Sequence, residues 1–187
     1  TSRTRLIEIS KDLPITVIGE KLNAYAEECK RLLSSKDIDG LVELGREQIQ
    51  GGAKAIDIHL ASPEVNEKEL VRELIINFQQ FGDVPLVFDI QDPEVLEMAL
   101  RIYPGRACIN SISLEASREE IIKLARRYGA VAIALTTGRE RLPEDGEERI
   151  KNGENILSMF GSNDRTDIIL DPLVVSIATS PEQMSET

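Results

Sequence analysis

Polar residues able to bind a small molecule recur along the chain just after short apolar runs: Glu20 and Asn23, Asp57 and His59, Asp89, Asn110 with Ser111, Thr136 with Thr137, and Asp171. Almost none is basic, so the set is poorly suited to gripping phosphate. It suits a neutral heterocycle rich in N–H donors. A carboxylate accepts two parallel hydrogen bonds from an amino-pyrimidinone edge much as it does from a guanidinium, which gives one or two Asp a role at the floor of such a site. Asn adds a mixed donor and acceptor. His59 is the sole histidine, so no multi-histidine metal site is expected and the sequence gives no sign of a Cys/His or Ser/His/Asp relay. The lone imidazole reads as a pocket-wall or hydrogen-bonded residue rather than a catalyst.

Each of these residues also has a plainer role. Asp and Asn at strand ends commonly cap the following helix. After Asp89 come Gln91, Asp92 and Pro93, which could supply that cap themselves. Asp57 lies inside an apolar run and reads more readily as a structural hydrogen-bond partner. The acidic stretch Glu144-Asp145-Gly146-Glu147-Glu148 reads as solvated surface.

The elements that must position these residues follow from periodicity. Short β-branched runs at 15–19, 53–59, 85–89, 107–110, 130–136 and 167–170 are mostly apolar rather than alternating, as strands buried on both faces of a parallel sheet should be. Helical patterns fill the intervals at 37–50, 66–81, 93–102, 117–128 and 147–159, with an extra amphipathic segment at 24–33. Gly51-Gly52 and Gly129 mark helix ends, and Pro93 marks a first turn. This βα repetition fits a doubly wound sheet or a (β/α) barrel. Gly19 is followed by Glu20, Lys21, Leu22 and Asn23 with no second glycine to admit a pyrophosphate, which disfavours a dinucleotide fold. A single α/β domain over residues 1–187 is expected, of the TIM (β/α)8-barrel type. A full barrel takes about 250 residues, so the last two units should be missing, the chain ending where a sixth helix would start.

Composition narrows the partners. Thirty-three acidic against 22 basic residues leave a net charge of −11, which disfavours nucleic acid. The absence of a long apolar run or a hydrophobic leader points away from the membrane and to the cytoplasm. Cys29 and Cys108 stand far apart, in no CxxC spacing, and read as free thiols, with Cys108 in the core.

The residues also resemble a known family. Val17-Ile18-Gly19-Glu20-Lys21-Leu22-Asn23, Gly52-Ala53 leading to Asp57-Ile58-His59, Pro85-Leu86-Val87-Phe88-Asp89-Ile90-Gln91, Pro104-Gly105-Arg106 leading to Ile109-Asn110-Ser111-Ile112-Ser113, and Asp171-Pro172-Leu173 look like the successive motifs of the pterin-binding methyltransferases. That group includes methyltetrahydrofolate:corrinoid protein methyltransferases and the folate domain of cobalamin-dependent methionine synthase. The resemblance implies that Asp89, Asn110 and Asp171 hydrogen-bond the pterin. It further implies that methyltetrahydrofolate is the substrate and that its methyl group passes to cob(I)alamin. No Asp-x-His-x-x-Gly motif surrounds His59, so the corrinoid would sit on a partner protein or domain. Two departures stand out. The family's Asn in the seventh-strand region has no counterpart, which leaves the catalytic residue unassigned, and His59 stands where the family usually has Asn.

An unfinished barrel leaves strand edges unpaired, so a homodimer or another partner is expected. Two alternatives remain open: a non-catalytic folate- or partner-binding module of a methyl-transfer system, and a dihydropteroate synthase. The second family has an Asn-Asp pair where this chain has Asn110-Ser111.

Overall fold

The computed structural model describes residues 1–63, 65–81, 84–139, 141–160 and 167–173. Six strands alternate with helices, and the chain divides into two compact units, Thr1–Cys108 and Ile109–Thr187. The expected start of a sixth helix falls outside the described residues.

The first unit carries β1 (Ile18–Asn23), α1 (Glu27–Ser35), α2 (Ile38–Gln50), β2 (Ala55–His59), α3 (Glu67–Phe81), β3 (Leu86–Phe88) and α4 (Pro93–Ile102). β2 pairs in parallel with both β1 and β3. Every residue of β2 and β3 is buried, which explains why these segments read as continuous apolar runs. Helix starts follow local chemistry. Asp37 caps α2 by accepting from the Gly40 amide, Asn66 accepts from the Glu69 amide at the head of α3, and Asp92 accepts from the Glu94 amide with Pro93 in the first turn of α4. Gly52, at φ 108°, ends α2 as the glycine pair implied. Gly45 of α2 lets α3 approach closely, because a Cβ there would stand 2.5 Å from Cζ of Phe78.

The first strand is placed differently from the expected 15–19. Ile15 and Val17 are 92% and 53% exposed, and the strand runs on through Glu20 and Lys21 to Asn23. Gly19 pairs with Ile56 and Leu22 with Ile58, so three steps on β1 match two on β2. This is a bulge. Its extra residue is stabilised by Oε1 of Gln48, which accepts from the Lys21 amide at 2.8 Å. Glu20 and Asn23 therefore lie within β1 rather than after it.

The second unit carries all but the first residue of β4 (Cys108–Ile112), then α5 (Glu119–Tyr128), β5 (Val131–Leu135), α6 (Gly146–Ser158) and β6 (Ile168–Asp171). α5 buries Ile121, Ile122, Leu124 and Ala125 along one stripe and closes at Gly129 with φ 62°. β5 and β6 pair in parallel, with Leu135 opposite Asp171. Asn152 of α6 donates to the Thr136 carbonyl at 3.0 Å, and Arg149 to the Pro172 carbonyl at 2.8 Å. These bonds tie the helix to the chain just beyond the two strands.

Both cysteines are free. Cys29 is buried, whereas Cys108 is only half-buried rather than a core residue. Burial pushes the thiols up to about 11 and about 12 respectively, which leaves almost no thiolate at neutral pH. Among the described residues no helix is long and apolar enough to cross a membrane, and no cluster of His, Cys, Asp and Glu could hold a metal ion.

Candidate functional site

In the first unit the ends of β1, β2 and β3 bring several of the expected residues together. Asn23 lies opposite His59 in the register. Its Oδ1 accepts from the Tyr25 amide at 2.9 Å, a turn that swings the Tyr25 ring over the His59 ring, 5.4 Å between centroids and 27° between planes. His59 is the last residue of β2 and is 7% exposed. Asp89 directly follows β3, its backbone amide donating to the Ile58 carbonyl. Nδ1 of His59 stands 3.0 Å from Oδ2 of Asp89. That separation meets the distance of a hydrogen bond but not its alignment, so the contact is chiefly electrostatic. Asp57, two residues before His59, is 4% exposed. Glu20 lies on the bulge, exposed to solvent.

The helix-cap alternative for Asp89 is settled by Asp92, which caps α4. The Asp89 carboxylate is left to His59 and, with its side chain 29% exposed, to whatever enters from solvent.

Glu67, at the start of α3, belongs to this neighbourhood and was not evident from the sequence. Burial pushes its carboxyl above the usual carboxylate range; His59 opposes that rise, while Asp92 and Asp89 add to it. The imidazole of His59 is in turn held above its ordinary value, first by the contact with Asp89 and against the effect of burial, with Asp57 adding to the rise. One imidazole thus shares the field of several carboxylates. In sequence Glu67 is one of two acids in the first turn of a helix, a place where acids favour the helix dipole; nothing in that pattern signals burial.

In the second unit Asn110 is half-buried within β4, and Asp171 closes β6. Oδ1 of Asp171 accepts from the Leu173 amide at 2.8 Å, which orients the carboxylate and leaves Oδ2 for another donor. Thr136 and Thr137 follow β5, and each has a buried hydroxyl without a partner among the described residues. Thr136 lines an apolar cavity of about 430 Å³ with Gly153, Leu157, Leu170 and Pro172.

Residues 19–186 match the family described as pterin binding enzyme, and the chain belongs to that family. Among solved structures it is similar to Yersinia pestis dihydropteroate synthase bound to a pterine-sulfa conjugate, at 20% identity over 89% of this chain and 63% of that one, with a TM-score of 0.61. The dihydropteroate synthase of Thermus thermophilus gives 23% identity, 91% and 63% coverage, and a TM-score of 0.59. That of Xanthomonas albilineans in complex with 7,8-dihydropteroate gives 19% identity, 91% and 64% coverage, and 0.59. The chain thus spans under two thirds of the length of each of these structures. The likeness shows the fold, α/β of the (β/α)-barrel type. The expectation of a pterin-binding protein holds at the level of the family. These solved structures are dihydropteroate synthases, and at 19–23% identity their likeness to this chain extends to the fold and not to the reaction.

Proposed function

We propose that this chain binds a pterin by its pyrimidinone edge, with Asp89 as the anchor in the first unit and Asn23, Asp57, His59 and Glu20 as supporting residues; the motif resemblance adds Asn110 and Asp171 as further pterin contacts. The observation that carries this reading is Asp89. Its carboxylate stands at a strand end, is freed from capping by Asp92, and is part open to solvent. A carboxylate so placed accepts paired N–H donors from an amino-pyrimidinone.

Two reactions use such a site. Condensation of a pterin diphosphate with p-aminobenzoate, the dihydropteroate synthase reaction, is favoured by the identities of the similar structures. Methyl transfer from methyltetrahydrofolate to a corrinoid on a partner protein or domain is favoured by Ser111 after Asn110 and by the motif order through Asp171-Pro172-Leu173. In both, the chain's own contribution is orientation and electrostatics.

Titration calorimetry of the chain with methyltetrahydrofolate and with a hydroxymethyl-dihydropterin, repeated on Asp89→Ala and Asn110→Ala, tests the binding claim. Hydrogen bonds to a charged group contribute about 1.5–3 kcal/mol each, so Asp89→Ala should weaken binding by roughly tenfold or more. A folded wild-type chain that binds neither ligand refutes the reading. Adding p-aminobenzoate to the pterin diphosphate, or cob(I)alamin to methyltetrahydrofolate, then separates the two reactions by product.

A further inference from the structure

Buried polar atoms in folded proteins nearly always have partners, and an exception calls for an explanation. Among the described residues three such atoms fall in the first unit, Nδ1 and Nε2 of His59 and Oε1 of Glu67, and the two residues feel each other electrostatically. Nε2 of His59 and Oε1 of Glu67 are both shut off from solvent, and neither meets a partner among the described residues. Their places follow from the fold. His59 ends β2 and Glu67 opens α3, the helix that β2 leads into, while Asp89 and Asp92 stand in the matching positions between β3 and α4. Lys68 next to Glu67 reaches Glu94 in the first turn of α4 at 3.9 Å, so the two helix starts lie together over the strand ends. Tyr25 covers one face of the imidazole.

We propose that Nε2 of His59 and Oε1 of Glu67 form a second hydrogen-bonding station for the heterocycle, taking an acceptor atom and a neighbouring N–H donor of one flat, neutral ring. The proposal rests on the pterin-binding reading and adds two ligand-contacting atoms to it. Charge argues for a neutral ligand group. An anion would meet Asp57, Glu67, Asp89 and Asp92, and a cation would meet the imidazole that Asp89 keeps disposed to charge. A lactam or amidine edge offers the required donor and acceptor side by side without net charge, and its occupation would satisfy both atoms at once.

His59 is the sole histidine, so its ring nitrogens can be followed by 15N NMR without assignment mutants. At saturation with hydroxymethyl-dihydropterin, Nε2 of His59 should shift, and Glu67→Ala should weaken the affinity by roughly tenfold while the thermal midpoint stays at or above that of wild type. An Nε2 resonance unmoved at saturation, or a folded Glu67→Ala protein that binds within twofold of wild type while Asp89→Ala has lost binding, overturns the station. Either result would leave a trapped water as the occupant and the pterin reading intact. Failure of wild type to bind at all overturns both.

Discussion

Replacing Asp89 by Asn removes a negative charge from beside a nearly buried imidazole while preserving shape. The protonated form of His59 then loses its main support. Because the contact with Asp89 raises the folded-state value above the unfolded one, its stabilisation is fully present below about pH 6.5, the ordinary histidine value. It is lost as the pH climbs through the folded value. The Asp89 carboxylate is 29% exposed and the geometry is off-line, so the charged contact is screened and contributes on the order of 1 kcal/mol rather than the several of a buried pair. Urea unfolding of wild type and Asp89→Asn, at pH 5.5 and at pH 9, measures the difference. The substitution should cost about 1 kcal/mol more at pH 5.5 than at pH 9. An equal cost at both would mean that His59 is neutral throughout and that the pair is an ordinary polar contact, which would sink the electrostatic account of the site.

Two further outcomes separate scaffold from site. Asp92→Ala should cost about 0.5–2 kcal/mol through loss of the α4 cap, with pterin affinity unchanged by calorimetry; a large loss of affinity would move Asp92 from cap to ligand contact. Gly45→Ala sets a methyl group against Phe78, which is 2% exposed and has no room to turn away. It should lower stability by about 1–3 kcal/mol in a denaturant titration, and a neutral result would mean that α2 and α3 are less closely apposed than their contact implies.

How far the sequence revealed these features depends on whether their cause is local. β2 and β3 were legible because strands covered on both faces are apolar throughout, and α4 because Asp92-Pro93 is a local start signal sufficient in itself. β1 was misplaced because its stability is not local. The bulge at Glu20 and Lys21 is held by Gln48 from α2, and no periodicity along residues 15–23 reports a partner 27 positions away. The same distinction holds in the site. Asp89 and His59 stood out as polar residues ending apolar runs. Glu67 and Tyr25 did not, since an acid in the first turn of a helix and a single exposed tyrosine are ordinary. Glu67 becomes unusual only when tertiary contact shuts its Oε1 off from solvent, and Tyr25, 83% exposed, only because the Asn23 turn lays its ring on His59.

The charge around His59 also constrains how any substrate can lie. Asp57, Glu67, Asp89 and Asp92 give the first unit's strand ends a negative field that a single imidazole offsets only in part. A neutral ring edge enters that field at little cost, whereas a diphosphate or a glutamate carboxylate brought to the same spot is repelled. On the pterin-binding proposal, the anionic arm of either substrate class should therefore leave the ring on the side away from His59. Under the condensation reading that arm carries the leaving group, so the acidic cluster would orient the pterin by excluding the reversed pose, and lowering its charge with Glu67→Gln should weaken that orientation and slow condensation. Under the methyl-transfer reading the arm is a spectator, and the same substitution should act on ring binding alone.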